Sequence, residues 1–393
     1  MPFRRLQDLD VGGKRVLVRE DLNVPLSDHT ITDYARIDAA LATLRWLHAH
    51  GAHTIVLSHL DRPGGVPNPK YSLRPVARAL SDRLGLTVGF ADDCVGETAE
   101  SAVAQLRDGD ILLLENVRFH PEEERNDSGF AKRLAALGDV YVNDAFATAH
   151  RANASTEALA HLLPNAAGLL MQAEIGALAR LTNDPAKPYV CVIGGAKIKD
   201  KIGILERLAD LVSAFCVGGG MANTLLAAGG VDVGRSLRDD DLEPARRILA
   251  KVKERGLALH LPVDAVVAMA PDDETHAHVL PIDAVGDEMI LDIGPATALA
   301  YAAAIETAKT IVFNGPMGVY ERGAFRHGTE VVGEAIARAT AAGAVSVIGG
   351  GDAAAAAHML GFAANATYVS TGGGATLEFL EGKPLPGVVA LEH

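Results

Sequence analysis

The chain has 393 residues, with 36 basic and 50 acidic side chains that give a net charge of −14 at pH 7. This length predicts two domains, each with its own core. The acidic balance, without a basic tract, argues against general binding to nucleic acid or to anionic membranes, although a local cluster of cations could still hold a small anion. The first ten residues lack the apolar core of a signal peptide, and no uncharged stretch is long enough to span a membrane.

The three cysteines, Cys94, Cys191 and Cys216, lie far apart in apolar runs. This pattern favours buried thiols in a reducing compartment over disulfides or a metal cluster. Together with the missing signal peptide, it predicts a soluble cytoplasmic protein, which we expect to be a monomer that acts on small molecules.

The first half of the chain alternates short apolar runs with segments of helical periodicity, which predicts a parallel sheet covered on both faces. The predicted strands are residues 16–18, 54–57, 87–90, 111–114 and 140–142. The clearest predicted helices are residues 34–50, 72–84 and 129–137, with Asp33 and Ser72 as candidate caps.

Charged and polar side chains follow these strands, at the edge where ligands bind in parallel sheets. They are Arg19, Asp21 and Asn23 after the first strand, His59 and Arg62 after the second, Glu115, Asn116 and Arg118 after the fourth, and Asn143, Asp144, His150 and Arg151 after the fifth. Arg36 opens the first long helix. Converging arginines suggest a polyanionic metabolite, whereas each arginine alone could simply pair with a carboxylate. His59 and His150 lack metal-ligand spacing, so hydrogen bonding to an anion is favoured over metal binding or base chemistry.

The pattern then changes to one long helical stretch at residues 166–181, closed by Asn-Asp-Pro at 183–185. A helix that follows a complete α/β half is typical of a connector between domains and could act as a hinge.

Residues 189–208, YVCVIGGAKIKDKIGILERL, predict a strand, a Gly-Gly turn and a helix. Lys197 and Lys201 are spaced one helical turn apart beside the turn, which predicts that both ammonium groups lie on one side and suits a phosphate. An ordinary turn with two solvated lysines remains an alternative. The segment contains neither a Walker A motif nor the G-x-G-x-x-G dinucleotide fingerprint.

In the second half, glycine follows the predicted strands at residues 215–217, 311–313, 345–348 and 367–369. Glycine allows the backbone to pack closely against a nucleotide. Asp352 follows a glycine triplet and precedes an alanine-rich helix predicted at residues 353–360, so it could hold the Mg²⁺ of a nucleotide. It could equally be the N-cap of that helix.

With these residues in view, the chain resembles phosphoglycerate kinases over essentially its whole length. In the first half the resemblance is carried by REDLNVP at 19–25, SHLDRP at 58–63, LENVRF at 114–119 and NDAFATAHR at 143–151. In the second half it is carried by GGAKIKDK at 194–201, GGGMANT at 218–224, DIGPAT at 292–297, FNGPMGVYE at 313–321, GGGD at 349–352 and STGGG at 370–374. Each segment alone is a weak signal, but the ordered series is highly specific.

The resemblance implies a set of ligands for each half. It implies that 3-phosphoglycerate or 1,3-bisphosphoglycerate is held by Asp21, Asn23, Arg36, His59, Arg62, Arg118 and Arg151. It implies that ADP or ATP lies against Gly195, Lys197, Lys201, Gly219, Asn314, Glu321, Gly350, Gly351, Asp352 and Ala353, with Glu321 at the ribose and Asp352 at Mg²⁺.

The expected fold is α/β, with two Rossmann-like domains, each a parallel sheet flanked by helices, joined by a long connecting helix and separated by a cleft. The acid-substrate domain is expected at residues 1–170, completed by 377–393, and the nucleotide-binding domain at 171–376, counted with the connecting helix at 166–181. The implied reaction is reversible, in-line phosphoryl transfer between 1,3-bisphosphoglycerate and ADP in glycolysis, with hinge closure. Arg36, Lys197 and Lys201 would neutralise the transferring group.

Several residues depart from the family pattern. Asp61 stands where the family usually has glycine, and Ala353 replaces a usual serine or threonine; Glu20, Ala147 and Asn153 are further departures. A carboxylate ~4 Å from the substrate anion would repel it by roughly 4 kcal/mol at an effective dielectric constant of about 20. We therefore expect Asp61 either to point away from the anion or to weaken its binding.

Two other functions also fit parts of the pattern. A dehydrogenase built from two nucleotide-binding domains would use glycine after its strands, but the dinucleotide fingerprint is missing. A two-lobed binding protein of the periplasmic type would also close on an anion, but no signal peptide is present.

Overall fold

A computed structural model describes residues 3–27 and 30–392, apart from the side chain of Asp200. The chain forms two compact units, which are described separately. The first unit combines the chain up to Ile175 with the segment from Pro384 onward, and the second unit is Gly176–Lys383. In the described part of the chain, no helix has both the length and the apolar character needed to cross a bilayer.

The first unit contains eight strands in the described residues. They are β1 (Arg15–Arg19), β2 (Leu26–Ser27), β3 (Thr30–Ile31), β4 (His53–Leu57), β5 (Val88–Ala91), β6 (Ile111–Leu114), β7 (Val140–Asn143) and β8 (Asn165–Ala167). Six of them form one parallel sheet in the order β5-β6-β4-β1-β7-β8, and β2 pairs with β3 in a short antiparallel ladder.

Helices cover this sheet and bury its apolar side chains. They are α1 (Ala35–Ala49), α2 (Arg74–Leu84), α3 (Gly96–Val103), α4 (Ser128–Ala135) and, from the C-terminal segment, α13 (Pro386–Val389). Short 3-10 turns lie at Leu6–Asp8, Pro69–Tyr71, Val117–Phe119, Phe146–Thr148 and Ala158–His161. Val16 and Val18 of β1 pack with Leu44 of α1 and Leu80 of α2 in one buried cluster. Burying each such side chain stabilises the fold by about 1.5–3 kcal/mol.

The connecting helix, α5 (Leu169–Thr182), begins later than the sequence predicts. Residues 166–167, predicted as helical, belong to β8, which pairs with β7 at the edge of the sheet. The turn between strand and helix depends on Gly168, where a Cβ atom would overlap the carboxylate of Asp144. The helix predicted at residues 166–168 is therefore wrong. The sequence could not reveal β8, because a three-residue strand of Asn-Ala-Ala shows no alternation of apolar and polar side chains.

The second unit has a larger set of strands. They are β9 (Tyr189–Ile193), β10 (Ala214–Val217), β11 (Ala258–His260), β12 (Asp264–Ala268), β13 (His278–Pro281), β14 (Met289–Ile293), β15 (Thr310–Asn314), β16 (Val345–Ile348) and β17 (Tyr368–Val369). Its parallel sheet has the order β11-β10-β9-β15-β16-β17. Counted along the chain this order is 3-2-1-4-5-6, in which ligands bind where the winding reverses, between β9 and β15.

The helices of this unit flank the parallel sheet or connect its strands. They are α6 (Ile202–Leu208), α7 (Gly219–Ala228), α8 (Glu243–Glu254), α9 (Pro295–Glu306), α10 (His327–Ala341), α11 (Gly351–Met359) and α12 (Gly374–Leu380), with 3-10 turns at Ile198–Asp200, Glu274–His276, Gly323–Phe325 and Ala363–Asn365. A separate antiparallel sheet of order β13-β12-β14 was not predicted from the sequence.

The predicted α/β fold with two Rossmann-like parallel sheets is confirmed. Each predicted strand is found with its ends within one residue of the prediction, and the predicted helices in the two halves are found with ends within two residues, apart from those at 166–181 and after 195. Asp33 and Ser72 do accept hydrogen bonds from the backbone N–H groups of Ala35 and Arg74.

The compact units divide the chain differently from the predicted domains. The first boundary lies inside α5, after Ile175 instead of residue 170, and the second lies after Lys383 instead of residue 376. Residues 377–383 belong to the second unit because α12 packs on α6, where Gly203 leaves room for the side chain of Glu381.

Candidate functional site

The first candidate site is a cationic cluster around His59, directly after β4. Burial, followed by the nearby guanidinium groups of Arg19, Arg118, Arg36 and Arg151, lowers the pKa of His59 well below its usual range. Four cations that act on one imidazole lie close to one another, because charge interactions fall off with distance and with screening. The structure therefore brings together three of the predicted arginines and the predicted histidine, and it keeps this histidine neutral at pH 7.

Asp21 and Asn23 contact three members of this region, Arg36, His59 and Asp61. Asp21 is buried, and its carboxylate accepts a hydrogen bond from the guanidinium of Arg36 and one of 3.2 Å from the backbone N–H of Asn23. The same carboxylate lies 4.0 Å from His59 Nδ1. The side-chain oxygen of Asn23 accepts from the backbone N–H of Asp61 at 2.8 Å.

Arg19, which the sequence places at the ligand-binding edge, is the member of the cluster that the family resemblance did not assign to the acid site. Only 2% of it is exposed, and its Nε donates to the hydroxyl of Ser155 at 2.8 Å, while Ser155 donates to Glu123 at 2.6 Å. Its Nη2 lies 3.2 Å from Nδ1 of His59. Because a guanidinium only donates, Nδ1 must accept and the ring proton of His59 lies on Nε2. The sequence shows an arginine here, but nothing in its neighbours marks it as buried.

Arg118 contacts Asp61, and Arg62 follows Asp61 in the chain. Arg118 Nη1 donates to the backbone carbonyl of Asp61 at 2.8 Å, and its Nε lies 3.4 Å from Glu124. Burial is the main reason that the pKa of Arg118 is lowered, and Arg19 and Arg151 lower it further. In the described part of the chain, the side chains of Arg62 and Arg151 have no carboxylate partner, so the alternative of simple ion pairing applies to Arg36 and Arg118 only.

Asp61 itself adopts a left-handed backbone conformation, with φ 55°. Its carboxylate accepts from the backbone N–H of Arg62 at 2.9 Å. A glycine adopts this conformation without strain, whereas most other residues do not, and Asp is one of the few exceptions. Asp61 also lines a cavity of 660 Å³, whose wall is formed by Asn23, Val24, Pro25, Leu26, Arg36, Leu60, Asp61, Lys70 and Tyr71. Lys70 and Tyr71 were not predicted as site residues.

The second candidate site lies in the second unit, where β9 and β15 end side by side. Gly194 follows β9, and a Cβ atom on it would overlap the carbonyl of Pro316 in the loop after β15. Lys201 Nζ donates to the carbonyl oxygens of Gly194 at 2.6 Å and of Asn314 at 2.7 Å. The two strand ends are thus joined at the point where the sheet order predicts a ligand.

The predicted placement of Lys197 and Lys201 on one helix is wrong. Lys197 is extended, a 3-10 turn occupies Ile198–Asp200, and α6 begins only at Ile202. The loop is held in this form by Asp239, whose carboxylate accepts from the backbone N–H groups of Ile198 and Lys199 at 2.8 and 3.2 Å. This partner lies 40 residues away, so local periodicity could not reveal it.

A cavity of 420 Å³ opens beside these strand ends. Gly195, Gly219, Glu321 and Asp352 line it, all of which the sequence assigned to a nucleotide. Its apolar wall was not predicted and consists of Leu237, Pro271, Met289, Ile290, Leu291 and Val319. Close glycine backbone on one side and apolar side chains on the other are typical of a small-molecule pocket.

Tyr320 also lines this cavity, next to Glu321 and Asp352. Burial raises the pKa of Tyr320, and the carboxylates of Glu321 and Asp352 raise it further. The two carboxylates are therefore near one hydroxyl group, at one end of the cavity.

Asp352 is the second residue of α11, and the N-cap is Gly350, with φ 100°. The N-cap alternative for Asp352 is therefore wrong. Its exposed carboxylate has no hydrogen-bond or ion-pair partner among the described residues, so it fits a hard cation such as Mg²⁺, which prefers carboxylate oxygen.

The remaining predicted nucleotide residues do not line the cavity. Asn314 Nδ2 donates to the carbonyl of Gly349 at 2.6 Å and fixes the loop that leads to Gly350 and Gly351. Ala353 is buried in the apolar cluster of this unit. Lys197 is exposed and is not among the residues that line the cavity, although it is only two residues from Gly195.

An arginine cluster on one α/β unit and a glycine-lined pocket on another define a phosphotransferase with two small-molecule substrates. A sequence model of the phosphoglycerate kinase family matches residues 6–383. The chain belongs to the phosphoglycerate kinase family.

Relatives and solved structures agree with this assignment. The chain is 52% identical to the phosphoglycerate kinase of Moorella thermoacetica over 98% of both chains, and 50% identical to that of Pelotomaculum thermopropionicum over 100% of this chain and 99% of the relative. The solved phosphoglycerate kinase of Coxiella burnetii is similar, with a TM-score of 0.92 and 43% identity over 99% of both chains. That of Pyrococcus horikoshii has a TM-score of 0.84 and 33% identity over 99% of this chain and 98% of its own.

Family membership confirms the predicted activity. The protein is a kinase of glycolysis that transfers a phosphoryl group between 1,3-bisphosphoglycerate and ADP, with ATP or ADP as substrate and Mg²⁺ as cofactor. The dehydrogenase and the periplasmic-type binding protein considered from the sequence are both wrong.

Proposed function

We propose that the cationic cluster of the first unit binds 3-phosphoglycerate and 1,3-bisphosphoglycerate. The residues proposed to hold the acid are Asp21, Asn23, Arg36, His59, Arg62, Arg118 and Arg151. The observation that carries this proposal is the convergence of four guanidinium groups on the neutral His59. A substrate with phosphate and carboxylate groups fits such a cluster because guanidinium binds both in bidentate fashion.

The nucleotide is proposed to bind in the second unit, at the ends of β9 and β15. Gly195, Gly219 and Glu321 would contact the nucleoside in the 420 Å³ cavity, and Glu321 would accept hydrogen bonds from the ribose hydroxyls. Lys197, Lys201, Asn314, Gly350 and Gly351 would lie along the phosphates, with Ala353 beneath them. The first unit is thus the acid-substrate domain and the second the nucleotide domain.

The transfer needs charge neutralisation more than it needs a base. The acceptor carboxylate has a pKa near ~4 and is already ionised at pH 7, so no general base is required. Arg36, Lys197 and Lys201 are proposed to stabilise the transferring phosphoryl group during direct in-line transfer. Mg²⁺ held at Asp352 would supply charge compensation for the nucleotide phosphates.

The acid and the nucleotide are proposed to bind different units, and in-line transfer requires the reacting atoms to come within ~3–3.5 Å. We therefore propose that the two units move together when both substrates are bound, through a hinge that includes α5. Closure would also exclude water from the acyl phosphate.

The enzyme is further proposed to act as a cytoplasmic monomer without nucleic-acid or membrane partners. The net charge of −14 supports this proposal, since it disfavours polyanionic partners. Sedimentation equilibrium at several concentrations tests the monomeric state, and a mass above 41.1 kDa would contradict it.

A crossed pair of substitutions tests the assignment of the two pockets. Arg36→Ala is expected to reduce kcat/KM for 3-phosphoglycerate by about 100-fold or more, because it removes a charged donor that acts on the reacting groups, while the Kd for ADP stays unchanged. Glu321→Ala is expected to raise the KM for ATP about 10-fold and to leave the Kd for 3-phosphoglycerate unchanged. Steady-state kinetics and calorimetric titration measure both.

Arg107→Ala provides the matched control, because Arg107 is an exposed arginine of the same unit outside the cluster. It is expected to behave like the unsubstituted enzyme. If Arg36→Ala weakened ADP as strongly as 3-phosphoglycerate, or if Arg107→Ala lost as much activity as Arg36→Ala, the assignment would be wrong.

A further inference from the structure

A pair of carboxyl groups, Glu20 and Asp144, lies buried beneath the cationic cluster. Both residues have no exposed surface, and they directly follow Arg19 and Asn143, which are paired in the parallel sheet, so their carboxyl groups are neighbours. Glu20 follows β1 and Asp144 follows β7, two neighbouring strands of the parallel sheet. Glu20 is also one of the residues at which this chain departs from the family pattern.

If both carboxyl groups were ionised, the pair would have more hydrogen-bond acceptors than donors. Both oxygens of Glu20 and Oδ2 of Asp144 are buried and have no donor among the described residues. An ionised carboxyl group can only accept hydrogen bonds, so two facing carboxylates leave these atoms unsatisfied. Each buried unsatisfied acceptor destabilises the folded state. A single proton between the two groups converts the contact into a donor–acceptor pair.

The surroundings decide which group carries the proton. Asp144 accepts a hydrogen bond from the backbone N–H of Met171 at 2.9 Å, at the start of α5, and the hydroxyl of Thr43 and the backbone N–H of Leu170 also act to lower its pKa. These donors stabilise its ionised form. Glu20 has no such donor, so the proton belongs on Glu20, which then donates to Asp144.

The charged groups around Glu20 agree with this placement. Burial, followed by the charge of Asp144, raises the pKa of Glu20 well above its usual range; Asp21 raises it further, and Arg19 acts in the opposite direction. The pKa of Asp144 is raised by burial to about 6, against the effect of its donors. Among the described residues, these two carboxyl groups are not joined by a third histidine, cysteine, aspartate or glutamate in a cation-binding arrangement.

We propose that Glu20 is a protonated carboxylic acid at neutral pH and a positioning residue for the acid substrate. Through its proton it joins the end of β1, from which Arg19 and Asp21 extend, to Asp144 and to the start of α5. The backbone N–H of Asp144 donates to the carbonyl of Arg19 at 2.9 Å, so the same two segments are linked twice. Loss of the proton places two negative charges together in the interior and loosens the segment that carries Asp21.

The role in substrate binding depends on the proposed location of the acid site, whereas the protonation of Glu20 does not. Two kinds of measurement are therefore needed. Infrared difference spectroscopy at pH 7, of the unsubstituted protein minus Glu20→Gln, detects the carbonyl stretch of a protonated carboxyl group directly. We expect a band that Glu20→Gln removes and that the matched control Glu100→Gln, at an exposed glutamate on α3, retains.

Asp144→Asn provides a second variant. It keeps the acceptor for the donors at α5, removes the charge of Asp144 and offers an amide donor to Glu20, so the pKa of Glu20 is expected to fall and the band to disappear at a lower pH than in the unsubstituted protein. Absence of the band in the unsubstituted protein, or its persistence in Glu20→Gln, would overturn the proposal.

The pH dependence of the Tm tests whether folding raises the pKa of Glu20. A group whose pKa is raised by folding contributes stability below its unfolded pKa, about 4.3 for glutamate, and that stability is lost as the pH rises through the folded pKa. We expect the Tm of the unsubstituted protein and of Glu20→Gln to be similar near pH 5 and to diverge towards pH 9, with Glu20→Gln higher. Parallel curves would overturn the proposal, since Glu20 would then not titrate.

The KM for 3-phosphoglycerate tests the positioning role. In the unsubstituted enzyme it is expected to rise several-fold at alkaline pH, in step with loss of the infrared band, while kcat changes less. Glu20→Gln retains the hydrogen-bond donor and is expected to hold its KM over the same range, and Glu100→Gln is expected to follow the unsubstituted enzyme. Identical KM curves for all three would overturn the positioning role. If the acid site lay elsewhere, Arg36→Ala would also leave this KM unchanged while the infrared band remained.

Discussion

At the scale of single residues, the cationic cluster depends on an arginine that does not face the solvent. Arg19 is held by Ser155 and Glu123 and sets the tautomer of His59. The sequence identifies the residue types that follow each strand, and most of the proposed acid site could be predicted from them. It does not show which arginine is buried, because Ser155 and Glu123 come from distant segments.

Asp61 shows how one substitution changes a site without changing its fold. Its left-handed backbone conformation suits the glycine that the family usually has at this position, and its charge adds to the wall of the proposed acid pocket. The unfavourable interaction of roughly 4 kcal/mol expected at ~4 Å is an upper value, because the side chain is exposed and salt screens it.

We predict that Asp61→Gly lowers the KM for 3-phosphoglycerate by about 3- to 10-fold at low ionic strength, and less at high salt, because it removes a negative charge near the substrate anion. Steady-state kinetics at two salt concentrations measure the effect. Asp61→Asn is the matched control, since Asn keeps the turn and removes the charge. An improvement with Gly but not with Asn would attribute the effect to the backbone and contradict the electrostatic explanation.

At the scale of secondary-structure elements, the proposed nucleotide site lies where the parallel strands β9 and β15 end side by side. The strands themselves could be predicted from apolar runs, and glycine after each strand indicated where a ligand fits. The segment between Gly195 and α6 could not be predicted, because its conformation depends on Asp239. The antiparallel sheet that supplies part of the apolar wall was not predicted, and one of its strands, β13, is largely exposed.

Lys201 joins these two strand ends by donating to a carbonyl group on each. We predict that Lys201→Ala lowers kcat by about 100-fold or more, because a preorganised cation is lost beside the phosphates. It should also lower the free energy of unfolding by about 1.5–3 kcal/mol, because hydrogen bonds from a charged donor are lost. Kinetics and urea denaturation measure the two effects separately.

Lys199→Ala is the matched control for this prediction, since Lys199 is an exposed lysine two residues away. It is expected to change neither quantity appreciably. Normal turnover in Lys201→Ala, together with a lower unfolding free energy, would limit Lys201 to a structural role and remove it from the catalytic residues.

At the scale of the whole molecule, the chain forms two compact units whose boundaries lie within α5 and after α12. Length and the change of pattern predicted two units, but not these boundaries. A helix that runs from one unit into the other shows no break in its periodicity, and the position of α12 depends on its packing against α6.

We predict that small-angle X-ray scattering shows a smaller radius of gyration when 3-phosphoglycerate and a non-hydrolysable ATP analogue with Mg²⁺ are bound together, because transfer requires the reacting atoms to approach. Either ligand alone should have a smaller effect. Arg36→Ala, which binds the acid weakly, is the control and should remain expanded at the same ligand concentrations. No compaction with both ligands at saturation would rule out the proposed closure.

The return of the last residues to the first unit affects how this chain is made. Asn143 donates to the carbonyl of Gly387 at 3.1 Å, and the backbone N–H of Gly387 donates to Ala149 at 2.8 Å. A ribosome that moves along the message therefore delivers every residue of the second unit before the first unit has received its final helix. The first unit therefore stays incomplete, with part of its surface uncovered, while the ribosome makes Gly176–Lys383, about half of the chain.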